Sequence, residues 1–137
     1  MNVERTPDGR RLVVSRAIEA SRATVWDVFR DTELWPVWGP SVSAVDSSVR
    51  YVESGTTGRV RTPLGWAPFE VTTCDGFRWT WDVAGVPATG HRVESDGDGA
   101  CRAGFEVPPL VAPYAVVCRR ALREIELLAL DMERTNG

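Results

Sequence analysis

Apolar and polar positions along this chain change period three times, and the changes mark out its elements. After a short polar leader with a turn at Pro7-Asp8-Gly9, Arg11 to Glu19 alternates, with Leu12, Val14 and Ile18 in one phase. Period two is the pattern of a strand with one buried face. Arg16 falls in that same phase, so it needs an acidic partner or a route to solvent. Ser21 then predicts an N-cap for a short helix, Arg22 to Arg30. Within it Val25, Trp26 and Phe29 recur at helical spacing and form one stripe. Asp31 or Thr32 starts a second short turn of helix, which Pro36 is expected to end by disfavouring helix at Trp35.

From Ser41 the texture is strands and turns. The segments are Ser41 to Val49, Gly58 to Leu64, Trp66 to Cys74, Phe77 to Val83, Ala88 to Glu94 and Ala100 to Val107. They are separated by a loop at Glu53 to Gly58 and by turns at Pro63-Leu64-Gly65, Gly85-Val86-Pro87 and Asp96-Gly97-Asp98-Gly99. Strands joined by such short turns predict an antiparallel meander rather than a parallel sheet. After Pro108, Pro109 and Pro113 the period returns to helical, from Leu110 or Tyr114 to about Glu133. Twenty residues of helix span about 30 Å, the width of a small domain. The pattern therefore predicts an α+β fold: a curved antiparallel sheet around a long C-terminal helix, with two short helices after the first strand. It reads as a single domain over residues 1–137, with its core at about 11–133.

Composition narrows the chemistry. A formal net charge of −3 and a pI near 5.2 give no basic footprint for nucleic acid, and none is expected as a partner. All 16 basic residues are arginine, which excludes Schiff-base chemistry on a lysine side chain. Cys74, Cys101 and Cys118 are widely spaced, and a single histidine completes no zinc site of the usual kinds. No metal and no cofactor is expected. The N-terminus has no hydrophobic signal region, and the apolar runs are far shorter than the ~20 residues a membrane span needs. These features predict a cytoplasmic protein without integral membrane association.

The element order is that of the helix-grip fold. Ile18-Glu19-Ala20-Ser21 with Val25-Trp26-Asp27-Val28-Phe29 resembles the SRPBCC superfamily of START-domain, pollen-allergen-like and polyketide cyclase/dehydrase-like proteins. Asp31 to Pro40 resembles that superfamily's Asp-x-x-x-Trp-Pro-x-Trp turn. Phe77 to Val83 resembles its aromatic central strand, and Gly90 to Glu94 the strand after it. The resemblance runs from about Leu12 to Met132. It implies an internal cavity between sheet and helix, with Trp35 and Trp38 at one mouth; function has to be argued from the site, because this fold serves many activities.

Strand phase places Thr62, Phe69, Trp79, Trp81, His91 and Phe105 on the face toward the C-terminal helix, where Tyr114, Val117, Ala121 and Leu122 look back. With Trp38, all of these except Leu122 are the candidate ligand wall, and they either line a pocket or fill it. The leading expectation is binding of a small hydrophobic molecule: aromatic, acyl or lipid-like. An alternative is a polyketide cyclase- or dehydrase-like enzyme using His91 as acid–base, since it titrates nearest neutrality. That reading requires His91 to face an open cavity near Tyr114 or Thr89, and no serine or cysteine stands next to it in sequence as a nucleophile. A third reading is a protein-interaction domain with a filled core and an exposed patch at Trp35, Trp38 and Trp66, and a homodimer is left open. The charges Arg59, Arg61, Glu70, Asp82, Arg92, Glu94, Arg102 and Glu106 read as cross-strand pairs on a solvated face.

Overall fold

In the computed structural model, which describes residues 1–136, the polar leader is itself a strand. Asn2–Thr6 (β1) turns at Pro7-Asp8-Gly9 and pairs antiparallel with Gly9–Ile18 (β2). Gly9 sits at φ 105°, a conformation that only glycine adopts at little cost. β1 escapes sequence reading because no residue in it is buried.

Arg22–Arg30 (α1) follows, capped as predicted by Ser21, whose hydroxyl accepts from the Thr24 backbone N–H at 3.2 Å. The second short helix is Trp35–Trp38 (α2), and Pro36 lies in its first turn instead of ending it. At that position the missing N–H costs nothing, because first-turn donors have no intrahelical acceptor. The strand expected over Ser41 to Val49 shrinks to Ala44–Ser47 (β3).

The meander continues through Thr57–Thr62 (β4), Gly65–Asp75 (β5), Arg78–Val83 (β6), Val86–Ser95 (β7) and Cys101–Val107 (β8). Among the described residues the eight strands form one antiparallel sheet, ordered β1-β2-β8-β7-β6-β5-β4-β3. Two hairpin turns differ from expectation. Gly76 and Phe77 both have positive φ, as do Ala84 and Gly85. Such pairs make two-residue turns whose twist suits antiparallel strands. Phe77 therefore belongs to a turn, while Val86 and Pro87 belong to β7.

Pro109–Tyr114 forms a 3-10 helix that leads into Ala115–Asn136 (α3). The concave face of the sheet meets α1, α2 and the buried stripe of α3: Cys118, Ala121, Leu122, Ile125 and Ala129. Arg16 finds its acid on α3, with Nε and Nη2 donating to Glu126 Oε1 at 3.0 and 2.8 Å. Glu133 ties the helices together by accepting from the Ser21 backbone N–H and the Thr24 hydroxyl, both at 2.8 Å. The Cys74, Cys101 and Cys118 thiols are free, the latter two buried.

Candidate functional site

Most of the space between sheet and α3 is filled. Trp35 stacks on Trp79 with ring centroids 5.3 Å apart, and Phe105 meets Phe29, Trp38 and His91 edge-on at 5.6, 5.9 and 5.3 Å. Such contacts add to the apolar burial that holds the core. Trp35 and Trp38 are buried, and their indole N–H groups donate to the backbone carbonyls of Phe29 and Val28 at 3.0 and 3.1 Å. They plug α2 against α1, which leaves Trp66 alone of the patch expected for protein contact. That ring is itself covered in part by the Arg59 guanidinium, 4.6 Å from its centroid.

Open space remains at the end of the sheet where α2, the β6–β7 turn and the 3-10 helix converge. A recess of about 270 Å³ is walled by Trp81 and Val83 of β6, Val86 to Thr89 of β7, Val60 and Thr62 of β4, Pro40 to Val42, Val111 and Tyr114. Behind it, sharing Pro40, Val42, Trp81, Thr89 and Tyr114, lies an inner chamber of about 30 Å³ bounded also by Trp38, Trp79, His91 and Phe105. The chamber holds little more than a water molecule. No wall residue of either compartment is an acid or an arginine.

Hydrogen bonds around His91 fix its proton. Nδ1 lies 3.2 Å from the Trp79 carbonyl oxygen, which only accepts, so Nδ1 carries the hydrogen. Nε2 is then the acceptor for the Thr89 hydroxyl at 2.9 Å, and Thr89 Oγ1 in turn accepts from Trp81 Nε1 at 3.3 Å. The imidazole stacks on Trp79 with centroids 3.8 Å apart and is fully buried. Burial pushes its pKa down to about 3, the Trp79 carbonyl opposes that shift, and the Arg78 charge adds to it. At the mouth, the Tyr114 hydroxyl donates to the Pro40 carbonyl at 2.8 Å, tying the 3-10 helix to the segment after α2. Burial raises the Tyr114 pKa.

The residues expected to line a ligand site thus separate into three groups. Thr62, Trp81 and Tyr114 line the recess, whereas Trp38, Trp79, His91 and Phe105 bound the chamber. Phe69, Ala121 and Val117 line neither. Phe69 is core, its ring lying where a side chain on Gly58 would stand. Ala121 packs in the α3 stripe, and Val117, at the edge of that stripe, is 38% exposed. Sequence reading missed the lining role of Val42, Val86, Pro87 and Val111. Val86 and Pro87 fell in an expected turn, Val111 at the proline-marked entry to the last helix, and Val42 in an expected strand that was not assigned to the ligand wall. Apolar residues at such turn and entry positions were the available signal.

One of the outward charges is also misplaced by that reading. Glu106 is 1% exposed, held by Arg78 Nη2 at 2.7 Å and by Arg92 Nη1 at 3.6 Å. Asp8 and Glu4 bond the same two arginines at 2.8 and 3.1 Å. The turn after β1 and β1 itself therefore help to roof this carboxylate.

A curved eight-stranded sheet closed over one long helix, with an apolar recess at the open end, defines a helix-grip α+β protein. Its solved relatives include the protein XoxI from Bacillus cereus, 15% identical with a TM-score of 0.64, over 90% of this chain and 97% of that one. Norcoclaurine synthase from Thalictrum flavum, solved in complex with dopamine and hydroxybenzaldehyde, is 13% identical with a TM-score of 0.61, over 88% of this chain and 86% of that one. At these identities the likeness is one of fold. The chain belongs to the polyketide cyclase/dehydrase and lipid transport family, whose sequence profile matches residues 10–131. No curated protein matches the chain at significance. Among the described residues, no helix is long and apolar enough to cross a membrane.

Proposed function

We propose that this protein binds a small hydrophobic molecule in the recess between Trp81, the β6–β7 turn and the 3-10 helix. The observation that carries the reading is the recess itself: about 270 Å³ of open, mostly apolar space in an otherwise filled interior. Pockets for small molecules are built this way, with apolar walls and few polar groups. The family's association with lipid transport and polyketide chemistry supports a hydrophobic ligand. The norcoclaurine synthase complex, with two small aromatic molecules, supports one of aromatic size.

The state of His91 favours binding over catalysis. A general base is most effective when its pKa lies near the working pH, and burial takes this one to about 3. Both ring nitrogens are also engaged. His91 acts as a buried strut that orients Thr89.

Uptake of the neutral fluorophore N-phenyl-1-naphthylamine, followed by its emission and by quenching of tryptophan, tests the proposal. The wild-type protein takes up the probe, and Ala88→Trp, which fills the recess from β7, weakens uptake by roughly tenfold while circular dichroism stays unchanged. Absence of uptake by the folded wild-type protein overturns the reading.

A further inference from the structure

Trp79 is fully buried, and its indole N–H has no partner among the described residues. A buried donor left unpaired is costly, and native structures rarely leave one without a reason. Trp79 is part of the wall of the inner chamber. The neighbouring polar groups are spoken for in one direction only. Trp81 N–H donates to Thr89, Thr89 donates to His91 Nε2, and Tyr114 donates to Pro40. The donor left over is therefore the Trp79 N–H, and it has no acceptor.

Charge complements this. Neither compartment has an acid or an arginine in its wall, and His91 is held neutral. A carboxylate or an ammonium taken into such a space would lose its hydration with no counter-ion to replace it. Arg61 is the rival for an acid ligand: it is absent from the recess wall but borders an adjoining open depression that shares Ser41, Val42 and Thr62 with the recess. A carboxylate could meet that cation only by leaving its polar end at the surface.

We infer that the ligand is an uncharged molecule with an apolar body and a single hydrogen-bond-accepting oxygen, a ketone or similar carbonyl, whose oxygen enters the inner chamber to meet the Trp79 N–H. The body occupies the outer recess against Trp81, Val83 and Val111. The chamber admits an atom or two and no more, which selects a small polar end and excludes a bulky one. The inference rests on the binding reading above and adds the ligand's charge and orientation to it.

Displacement of N-phenyl-1-naphthylamine from the wild-type protein by four molecules of equal chain length separates the cases: decan-2-one, decane, decanoate and decylamine at neutral pH. Decan-2-one is expected to compete at a concentration roughly tenfold or more below the two charged molecules, and several-fold below decane. Decanoate binding as tightly as the ketone overturns the inference in favour of a head group at Arg61; decylamine doing so overturns it as well. Decane matching the ketone overturns the acceptor contact while leaving the pocket in place. Failure of the probe itself to bind overturns the pocket reading, and so is distinguishable from all of these. In Trp79→Phe, which keeps an aromatic ring and removes the N–H, the ketone is expected to lose its advantage over decane. The wild-type comparison stands without that variant should it not fold.

Discussion

A histidine stacked 3.8 Å from a tryptophan, with both ring nitrogens bonded, is linked to the stability of the whole chain. Its pKa in the folded protein is about 3, against 6.5 for the free side chain. As pH falls the unfolded state takes the proton first, so stability is intact above about pH 6.5 and is lost progressively toward pH 3. His91 is the single histidine, and carboxylates titrate mostly lower, so the window from about pH 6.5 to 5 reports on it almost alone. Urea unfolding across that window should show wild-type stability falling by about 1 kcal/mol per pH unit, with the slope largely gone in His91→Gln. Its ring signals in NMR spectra should stay at the neutral position throughout. Equal slopes for the two proteins would mean that the imidazole is not held neutral by burial. The same state explains why the residue that seemed the natural acid–base in the sequence fits a strut better than a catalyst. Its inward phase was legible from alternation with Thr89 and Val93; the completeness of its burial depends on α1 and α2, which alternation does not report.

Strands β7 and β8 meet across Gly90 and Glu106, which are register partners. A Cβ on Gly90 would come within 2.8 Å of Glu106 Oε1, so glycine there leaves room for a carboxylate lying flat on the sheet. Arg78 and Arg92 close over it, their aliphatic stems shielding it and their guanidinium groups neutralising it. Removing one member of a buried ion pair is worse than removing both, because the survivor keeps its desolvation penalty. Glu106→Ala should therefore destabilise the fold by about 2–4 kcal/mol, and Glu106→Gln by less, measured by chemical denaturation. A loss within a few tenths of a kcal/mol would show that the arginines find water instead. This is the clearest place where period alone misled. Glu106 does lie on the convex face, as its phase requires, yet that face is covered here by arginine side chains, by Asp8 of the turn and by Glu4 of β1, a strand too polar to be recognised. The meander from β5 to β8 and the long helix were legible because one face of each is continuously apolar. The two positive-φ turns, by contrast, were displaced by a residue or two, since Phe77 and Ala84 are not turn formers by composition.

At the scale of the whole molecule, the aromatic residues divide the space under the sheet between packed core and open recess. Trp35, Trp79, Phe29 and Phe105 close the middle and deep end, and the open volume is pushed to the end bounded by the 3-10 helix. The sequence resemblance implied a cavity between sheet and helix, whereas aromatics fill most of that space and no α3 residue lines the recess; side-chain phase gives a face and not a depth. Phe105 is the partition: 1% exposed, edge-on to His91 and Trp38, and part of the inner chamber wall. Phe105→Leu removes ring atoms at the closed end of the chamber. The loss of packing should cost roughly 1–2 kcal/mol, read from the denaturation midpoint. If chamber and recess form one continuous site, the freed volume is added to the ligand's end of it, and the best competitor in a series of alkan-2-ones should shift to a longer chain. A loss of stability with no such shift would mean that the two compartments do not communicate, and that binding stops at Trp81.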